Sequence, residues 1–85
     1  MDISARRLRI DDAEFAVRIA SDVARRKVSV ERERTFLSDN SNILVVGLCD
    51  DEPSGFVVAH ILDRFKDTSR KVLIYEVDVL PEFQR

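Results

Sequence analysis

Three apolar segments in the second half of the sequence constrain the fold more than any other feature. Each segment is short enough for a strand and rich in β-branched or aromatic residues, and the three cover Ile43–Cys49, Phe56–Phe65 and Val72–Leu80. Short polar turns separate them, at Asp50–Gly55 and Lys66–Arg70. Because these connections are short, each strand is expected to run antiparallel to the previous one. The second half therefore predicts a three-stranded antiparallel meander.

The first half of the sequence is dominated by helical spacing. Ile3–Ile10 alternates loosely and predicts a short first strand. Apolar residues then recur at helical spacing over Ala13–Arg26, which predicts a first helix. A second, shorter helix is expected to begin after the N-cap candidate Ser29 and to end near Asp39. The sequence thus predicts one domain over residues 1–85, with an α+β fold of the α/β three-layer type and the order β-α-α-β-β-β.

Composition excludes several classes of protein. A net charge of −2 gives no reason to expect nucleic acid or an anionic membrane as a partner. No apolar run approaches the roughly 20 residues that cross a bilayer, and the N-terminus lacks the apolar core of a secretory signal. Cys49 is the only cysteine, so an internal disulfide is excluded and a cytoplasmic location is expected. One cysteine and one histidine provide no metal-ligand spacing.

Two carboxylates stand out on the last predicted strand. Simple alternation places Val72, Ile74, Glu76, Asp78 and Leu80 on one face, and Leu73, Tyr75, Val77 and Val79 on the other. Glu76 and Asp78 would then be neighbours about 7 Å apart among apolar residues. A buried carboxylate is costly unless it is paired or faces water. Either Arg64, Arg70 or Lys71 pairs with these carboxylates, or one of them is a base at the edge of a cavity, and the spacing favours neither.

The order of the elements and the C-terminal motif resemble a known family. Residues Tyr75–Arg85 read Tyr-Glu-Val-Asp-Val-Leu-Pro-Glu-Phe-Gln-Arg, and with the helix pair and meander they resemble the N-terminal half of a GNAT-superfamily N-acetyltransferase. Within that superfamily, the helix end at Phe36-Leu37, the Pro53–Phe56 hairpin and the Tyr75-Glu76 pair are similar to the aminoglycoside 3-N-acetyltransferase type I group. The resemblance implies a truncated GNAT fold that ends after the fourth strand.

The resemblance also implies roles for individual residues. Glu76 matches the position of an acidic general base that receives a proton from the acceptor amine. Val77, Asp78 and Val79 match the strand segment whose backbone contacts the thioester and pantetheine arm of acetyl-CoA. Gln84 and Arg85 match the start of the loop that holds the pyrophosphate at a helix N-terminus. The implied reaction is acetyl transfer from acetyl-CoA, the cosubstrate, to a primary amine of a small molecule such as an aminoglycoside.

Other chemically capable residues have simpler interpretations. His60 lies between Ala59 and Ile61 on a predicted strand, where a structural histidine is expected more often than a catalytic one. Cys49 ends an apolar strand and is expected to pack in the core. In the resembling family the connection between the helices borders the acceptor pocket, so Lys27–Ser29 are weak candidates for substrate contact.

The last predicted strand raises an expectation about association. A sheet that ends at Val72–Leu80 would expose an apolar edge, and such edges pair with other proteins or with second copies. We therefore expect a homo-oligomer formed through this edge, and an incomplete enzyme that is inactive alone. The alternatives are a non-catalytic association module that uses the same edge, and an unrelated small α+β binding domain with structural carboxylates.

Overall fold

The structure, a computed structural model, describes residues 2–63 and 69–83. The described residues form strands and helices in the predicted order β-α-α-β-β-β. They are β1 (Ile3–Arg7), α1 (Ala13–Asp22), α2 (Val30–Ser38), β2 (Asn42–Cys49), β3 (Glu52–Asp63) and β4 (Arg70–Val79), with short 3-10 turns at Ile10–Asp12 and Pro81–Phe83. The strands pair antiparallel in the order β1-β2-β3-β4. The predicted α+β architecture is confirmed.

Helix α1 ends earlier than its apolar spacing predicts. It ends at Asp22 rather than Arg26, because Arg25 adopts the left-handed conformation with a φ of 56°. The N–H of Arg26 then donates to the C=O of Ala20 at 2.8 Å. Val23 is still buried beyond the helix end, so the apolar pattern continues where the helix does not. The basic residues Arg25, Arg26 and Lys27 therefore lie beyond the end of α1.

Helix α2 begins where its capping residue predicts. The Ser29 hydroxyl accepts a hydrogen bond from the backbone N–H of Arg32 at 3.1 Å, which satisfies one of the free donors of the first turn. The helix ends at Ser38, one residue before the predicted end. The N-cap prediction is confirmed.

The hairpin between β2 and β3 is tighter than predicted. The sequence predicts a turn over Asp50–Gly55, whereas the turn consists of Asp50 and Asp51, and β3 already begins at Glu52. Both aspartates have positive φ angles, of 51° and 68°, as two-residue hairpin turns require. Aspartate tolerates this conformation better than most residues. Pro53 is buried within the strand, beside a shift of the β2–β3 register.

A β-bulge interrupts the alternation of β4. Val58 of β3 lies opposite Glu76, but the next residue, Ala59, lies opposite Ile74, so Tyr75 is an extra residue. Residues directly opposite each other share a face of the sheet. Ile74 and Glu76 therefore lie on opposite faces, and the prediction of one unbroken alternation through β4 is wrong.

The hydrophobic core lies on one face of the sheet, beneath both helices. Its buried members are Leu8, Ala13, Ala16, Ile19, Val23, Leu37, Leu44, Val46 and Phe56. The opposite face includes Val45, Val57 and Val77, which are aligned across β2, β3 and β4. No helix among the described residues packs on that face. The two faces therefore differ: one supports the helices and the other is an uncovered apolar surface.

Asp12 connects the end of β1 to the start of α1. Its carboxylate accepts a 2.8 Å hydrogen bond from the backbone N–H of Arg9 and a 3.1 Å hydrogen bond from the guanidinium of Arg6. The backbone hydrogen bond is the main cause that lowers the pKa of Asp12 below its ordinary value of 3.8, and Arg6 lowers it further. The ionised form is therefore the one that stabilises the fold.

We expect Asp12→Ala to reduce the free energy of unfolding by about 1 kcal/mol at neutral pH. A carboxyl group whose pKa is lower in the folded state stabilises the protein above its unfolded pKa, and this contribution is lost as pH falls through the folded pKa. The difference between variant and wild type should therefore shrink as pH falls below 3.8. Urea unfolding across this pH range tests the prediction, and a difference independent of pH would contradict it.

Candidate functional site

Glu76 and Asp78 lie on the helix-covered face of the sheet, at the edge strand β4. Glu76 is opposite Val58, and Asp78 is opposite Phe56, which belongs to the core. Glu76 is exposed and Asp78 is half-buried. The prediction that the two carboxylates share one face is consistent with this register, and the bulge at Tyr75 leaves it intact because it lies before both.

The neighbouring cations do not neutralise these carboxylates. Arg70 instead forms an ion pair with Asp63, with 2.9 Å between Nε and Oδ1. Lys71 lies opposite Leu62, at the far end of β4. Within residues 2–63 and 69–83, neither Glu76 nor Asp78 has an ion-pair partner. Pairing with Arg70 or Lys71 is therefore wrong, and Arg64 lies outside the described residues.

A cavity of about 300 Å³ separates the helices from β3 and β4. Its wall is mainly apolar, with side chains of α1, α2 and the central strands. The polar groups that line it are Arg26, Arg32, Glu33, His60, Tyr75 and Glu76. They come from the helix connection, α2, β3 and β4, so tertiary structure brings them together. Of the predicted connection residues Lys27–Ser29, Val28 lines the cavity, and so does Arg26 just before them.

Glu33 is a cavity residue that the sequence interpretation missed. The charged residues around it in α2 favour a solvated helix face, but its side chain is half-buried against the cavity. Burial raises the pKa of Glu33 above its ordinary value of 4.5, and the charge of Arg32 partly opposes this shift. Glu33 lies three residues after Val30 and four before Leu37, so helical spacing places it on the apolar stripe of α2. This spacing could have indicated that its side chain is partly buried.

His60 also faces this cavity rather than being an inert strand residue. Its Nδ1 lies 2.9 Å from Oδ1 of Asn42, the residue directly opposite on β2. Its ring forms edge-on contacts with Phe36 and Tyr75, with centroids 6.3 and 5.4 Å away. The bulge allows the contact with Tyr75, because it turns that residue toward the same cavity as Glu76.

Val77–Val79 form the part of β4 that follows Glu76. They pair with Gly55, Phe56 and Val57 of β3, while β4 has no partner strand on its outer side among the described residues. Gly55 allows this close pairing: a Cβ at that position would lie 2.7 Å from the carbonyl oxygen of Asp78 and 3.2 Å from Cα of Val79. Gln84 and Arg85 lie outside the described residues.

The remaining chemistry-bearing groups do not form a second site. Cys49 is buried at the end of β2, as expected for a packing residue. Searching residues 2–63 and 69–83 finds no cluster of three His, Cys, Asp or Glu side chains that could hold a metal ion. None of the described helices is long and apolar enough to span a membrane.

The fold was compared with those of known proteins. No family model matches the sequence, and no curated protein matches it significantly. Solved structures do match. An aminoglycoside acetyltransferase from an uncultured soil metagenomic sample superposes with a TM-score of 0.89 at 16% identity, over 100% of this chain and 62% of that chain. A second such enzyme, in complex with sisomicin, gives 0.82 at 20% identity over 98% and 59%. A GNAT family acetyltransferase from Staphylococcus aureus gives 0.81 at 12% identity over 100% and 67%.

The protein has the GNAT fold. The predicted order of two helices and a meander after β1 is the arrangement that these acetyltransferases share with it. The sequence spans about three fifths of the length of the two soil enzymes, 62% and 59%. In this part of the GNAT fold, the cavity lined by Glu33, His60 and Glu76 lies directly beside the Val77–Val79 segment of β4. A carboxylate pair and an imidazole can together attract an ammonium group and accept its proton.

Proposed function

We infer that the protein is the acceptor-binding portion of an acetyl-CoA-dependent N-acetyltransferase that acts on a primary amine of a small molecule. The observation that carries this proposal is the cavity itself, where Glu76 lies on the edge strand β4 of a GNAT fold. The resemblance of Phe36-Leu37, Pro53–Phe56 and Tyr75-Glu76 to the aminoglycoside 3-N-acetyltransferase type I group makes an aminoglycoside the first acceptor to test.

The carboxylates of the cavity suit a cationic acceptor. Glu76 is exposed at the cavity and has no ion-pair partner among the described residues, so it is available to an ammonium group. Glu33 lies across the cavity on α2, where partial burial strengthens its attraction for a positive charge. In the proposed reaction Glu76 accepts a proton from the acceptor amine, directly or through a water molecule.

Acetyl-CoA, when bound, supplies the acetyl thioester that the deprotonated amine attacks. Backbone groups of Val77, Asp78 and Val79 would hold its pantetheine arm, and Gln84 and Arg85 would begin its phosphate-binding loop. The backbone of Val77 and Asp78 fits the first role, because the outer side of β4 is paired with no strand among the described residues. Isothermal titration calorimetry with acetyl-CoA tests the proposal, and it would be contradicted if an enzyme that carries this portion together with the rest of a GNAT domain showed no binding at millimolar concentration.

In an active enzyme that carries this portion together with the rest of a GNAT domain, we expect Glu76→Gln to lower the rate of acetyl transfer to sisomicin by about 100-fold, because glutamine keeps the shape but accepts no proton. Acetyl-CoA affinity should change little, since the Val77–Val79 segment binds through its backbone. Steady-state kinetics and calorimetry measure the two effects separately. Glu31→Gln, an exposed residue of α2 outside the cavity, is the matched control. An unchanged rate in Glu76→Gln would remove Glu76 from the role of base.

The uncovered face and edge of β4 favour self-association as a second property. Val72, Ile74 and Val77 are 64, 63 and 60% exposed, which is unusual for three apolar residues on one strand. We propose that two copies pair through their β4 edges. If the two β4 strands overlap fully and run antiparallel, Lys71 lies opposite Asp78 of the partner subunit, and Val72 lies opposite Val77 of the partner subunit. The bulge puts both members of each pair on the same face of the joined sheet.

Light scattering coupled to size-exclusion chromatography tests this pairing. We expect Ile74→Lys, near the centre of the paired strands, to weaken dimerisation by about tenfold or more, because two lysines would lie close together at the symmetry axis. Ile3→Lys is the matched control, since Ile3 is exposed on the opposite edge strand β1. Acetyl-CoA should favour the monomer, because it uses the same edge of β4. A wild type that is monomeric at all concentrations would contradict the proposal.

A further inference from the structure

Asn42 determines which nitrogen of His60 carries a proton. The Asn42 side-chain amide donates to the C=O of Phe36 at 3.0 Å, and a carbonyl oxygen can only accept. The Phe36 carbonyl belongs to the last turn of α2 and also accepts a 3.4 Å hydrogen bond from the backbone N–H of Asp39. This contact orients the amide, so Oδ1 of Asn42 must be the atom that faces Nδ1 of His60 at 2.9 Å. Nδ1 is therefore the donor and bears the hydrogen.

The lone pair of neutral His60 is consequently on Nε2. No hydrogen bond to Nε2 is found among the described residues, and no buried side-chain nitrogen or oxygen among them lacks a partner. Nε2 is therefore not fully buried, and the His60 side chain lines the cavity. The edge-on rings of Phe36 and Tyr75 restrict the orientation of the imidazole.

We propose that Nε2 of His60 is a second proton acceptor for the amine substrate, and that Asn42 is the residue that positions it. The inference rests on the proposed acetyl transfer. An ammonium nitrogen that becomes an amide loses two protons in total, while its C–N bond forms and the C–S bond of the thioester breaks. Glu76 accepts one proton and Nε2 accepts the other, which converts His60 into an imidazolium. One proton is finally taken up by the leaving thiolate and one by solvent.

The charges around His60 are mixed. Glu33 and Arg32 face the cavity from α2, Arg26 from the helix connection, and Tyr75 and Glu76 from β4. On the far side, the guanidinium of Arg7 in β1 donates to the backbone carbonyl oxygen of Asn42 at 3.4 Å. The cavity therefore contains carboxylates for an ammonium group beside an imidazole, a group that can accept a proton.

The sequence contains a single histidine, so its imidazole nitrogens can be observed without ambiguity by long-range ¹H–¹⁵N NMR. At alkaline pH we expect the Nδ1–H form in the wild type and loss of this preference in Asn42→Ala. Asn42→Asp keeps an acceptor for Nδ1–H, so the imidazole of this variant should retain the Nδ1–H form. Protonation of the imidazole should occur at higher pH in this variant than in the wild type, because a carboxylate stabilises the imidazolium. An Nε2–H form in the wild type would overturn the proposal.

Contact with the substrate is tested by adding sisomicin to the labelled protein. We expect sisomicin to shift the ¹⁵N signal of Nε2. In kinetic measurements, the acidic limb of the pH–rate profile should move in Asn42→Asp and should stay in place in Glu76→Gln. His60→Gln should lower kcat/KM by about 100-fold. If calorimetry shows acetyl-CoA binding but sisomicin does not change the Nε2 signal, only the role of His60 is overturned. If the imidazole responds but acetyl-CoA does not bind, the amine contact is supported and the acetyl-transfer function is contradicted.

Discussion

Gly55→Ala is expected to destabilise the protein by about 1–3 kcal/mol and to weaken acetyl-CoA binding. The added Cβ would lie 2.7 Å from the carbonyl oxygen of Asp78 and 3.2 Å from Cα of Val79. Both atoms are backbone, so neither can rotate away and the strands must separate. Gly55 has no positive φ, so the cost comes from this contact alone. The displaced segment of β4 is the one proposed to hold the pantetheine arm.

Gly47→Ala is the matched control for this prediction. Gly47 lies directly opposite Gly55 on β2, but its added Cβ would meet the Ser54 hydroxyl at 3.4 Å and the Gly55 carbonyl oxygen at 3.8 Å, which are ordinary contacts. Because glycine weakens a strand, Gly47→Ala should be neutral or stabilising by up to about 1 kcal/mol. Urea unfolding and calorimetry with acetyl-CoA measure both variants. Equal midpoints and affinities would contradict the proposed close approach of β3 and β4.

Ile19→Ala is expected to reduce the free energy of unfolding by about 2–5 kcal/mol. Ile19 is only 2% exposed and lies at the centre of the core between α1 and the sheet. Removing its branched side chain loses transfer free energy and leaves a void that close neighbours fill only in part. Because small domains are stable by only about 5–15 kcal/mol, this loss is a large fraction of the total. The cavity beside Ile19 should also lose its shape.

The measurement is urea unfolding followed by circular dichroism, with Ile19→Val expected to cost about 0.5–1.5 kcal/mol. Ile3→Ala removes the same atoms from a residue that is 79% exposed, and it should change stability by no more than about 0.5 kcal/mol. A similar cost for Ile19→Ala and Ile3→Ala would mean that the helices do not pack on the sheet as described.

Local spacing was sufficient to predict the elements but not their ends. The apolar stripe of α1 continues through Val23, yet Arg25 ends the helix by adopting a positive φ. The hairpin turn is formed by Asp50 and Asp51 rather than by the later proline and glycine, because β3 accommodates Pro53 beside a register shift. Such features depend on the pairing of strands, which periodicity does not contain.

The sequence could suggest candidate site residues only where one strand carries them. Glu76 and Val77–Val79 are contiguous in sequence, so a resemblance could assign them together. Glu33 and His60 are distant in sequence, and their local patterns favour structural roles, yet both face the cavity beside Glu76. Periodicity describes one helix or strand at a time. Residues of α2, β3 and β4 come together only when these three elements pack against each other.

By itself, the sequence determined the meander, the helix pair and the Ser29 cap, because these follow from local propensity, apolar spacing and short connections. The tertiary structure alone decided that Tyr75 is a bulge residue, since an extra residue exists only relative to the opposite strand. It also decided that Nδ1 of His60 donates a hydrogen bond to Asn42, because that depends on the amide of Asn42, which is oriented by the Phe36 carbonyl at the end of α2.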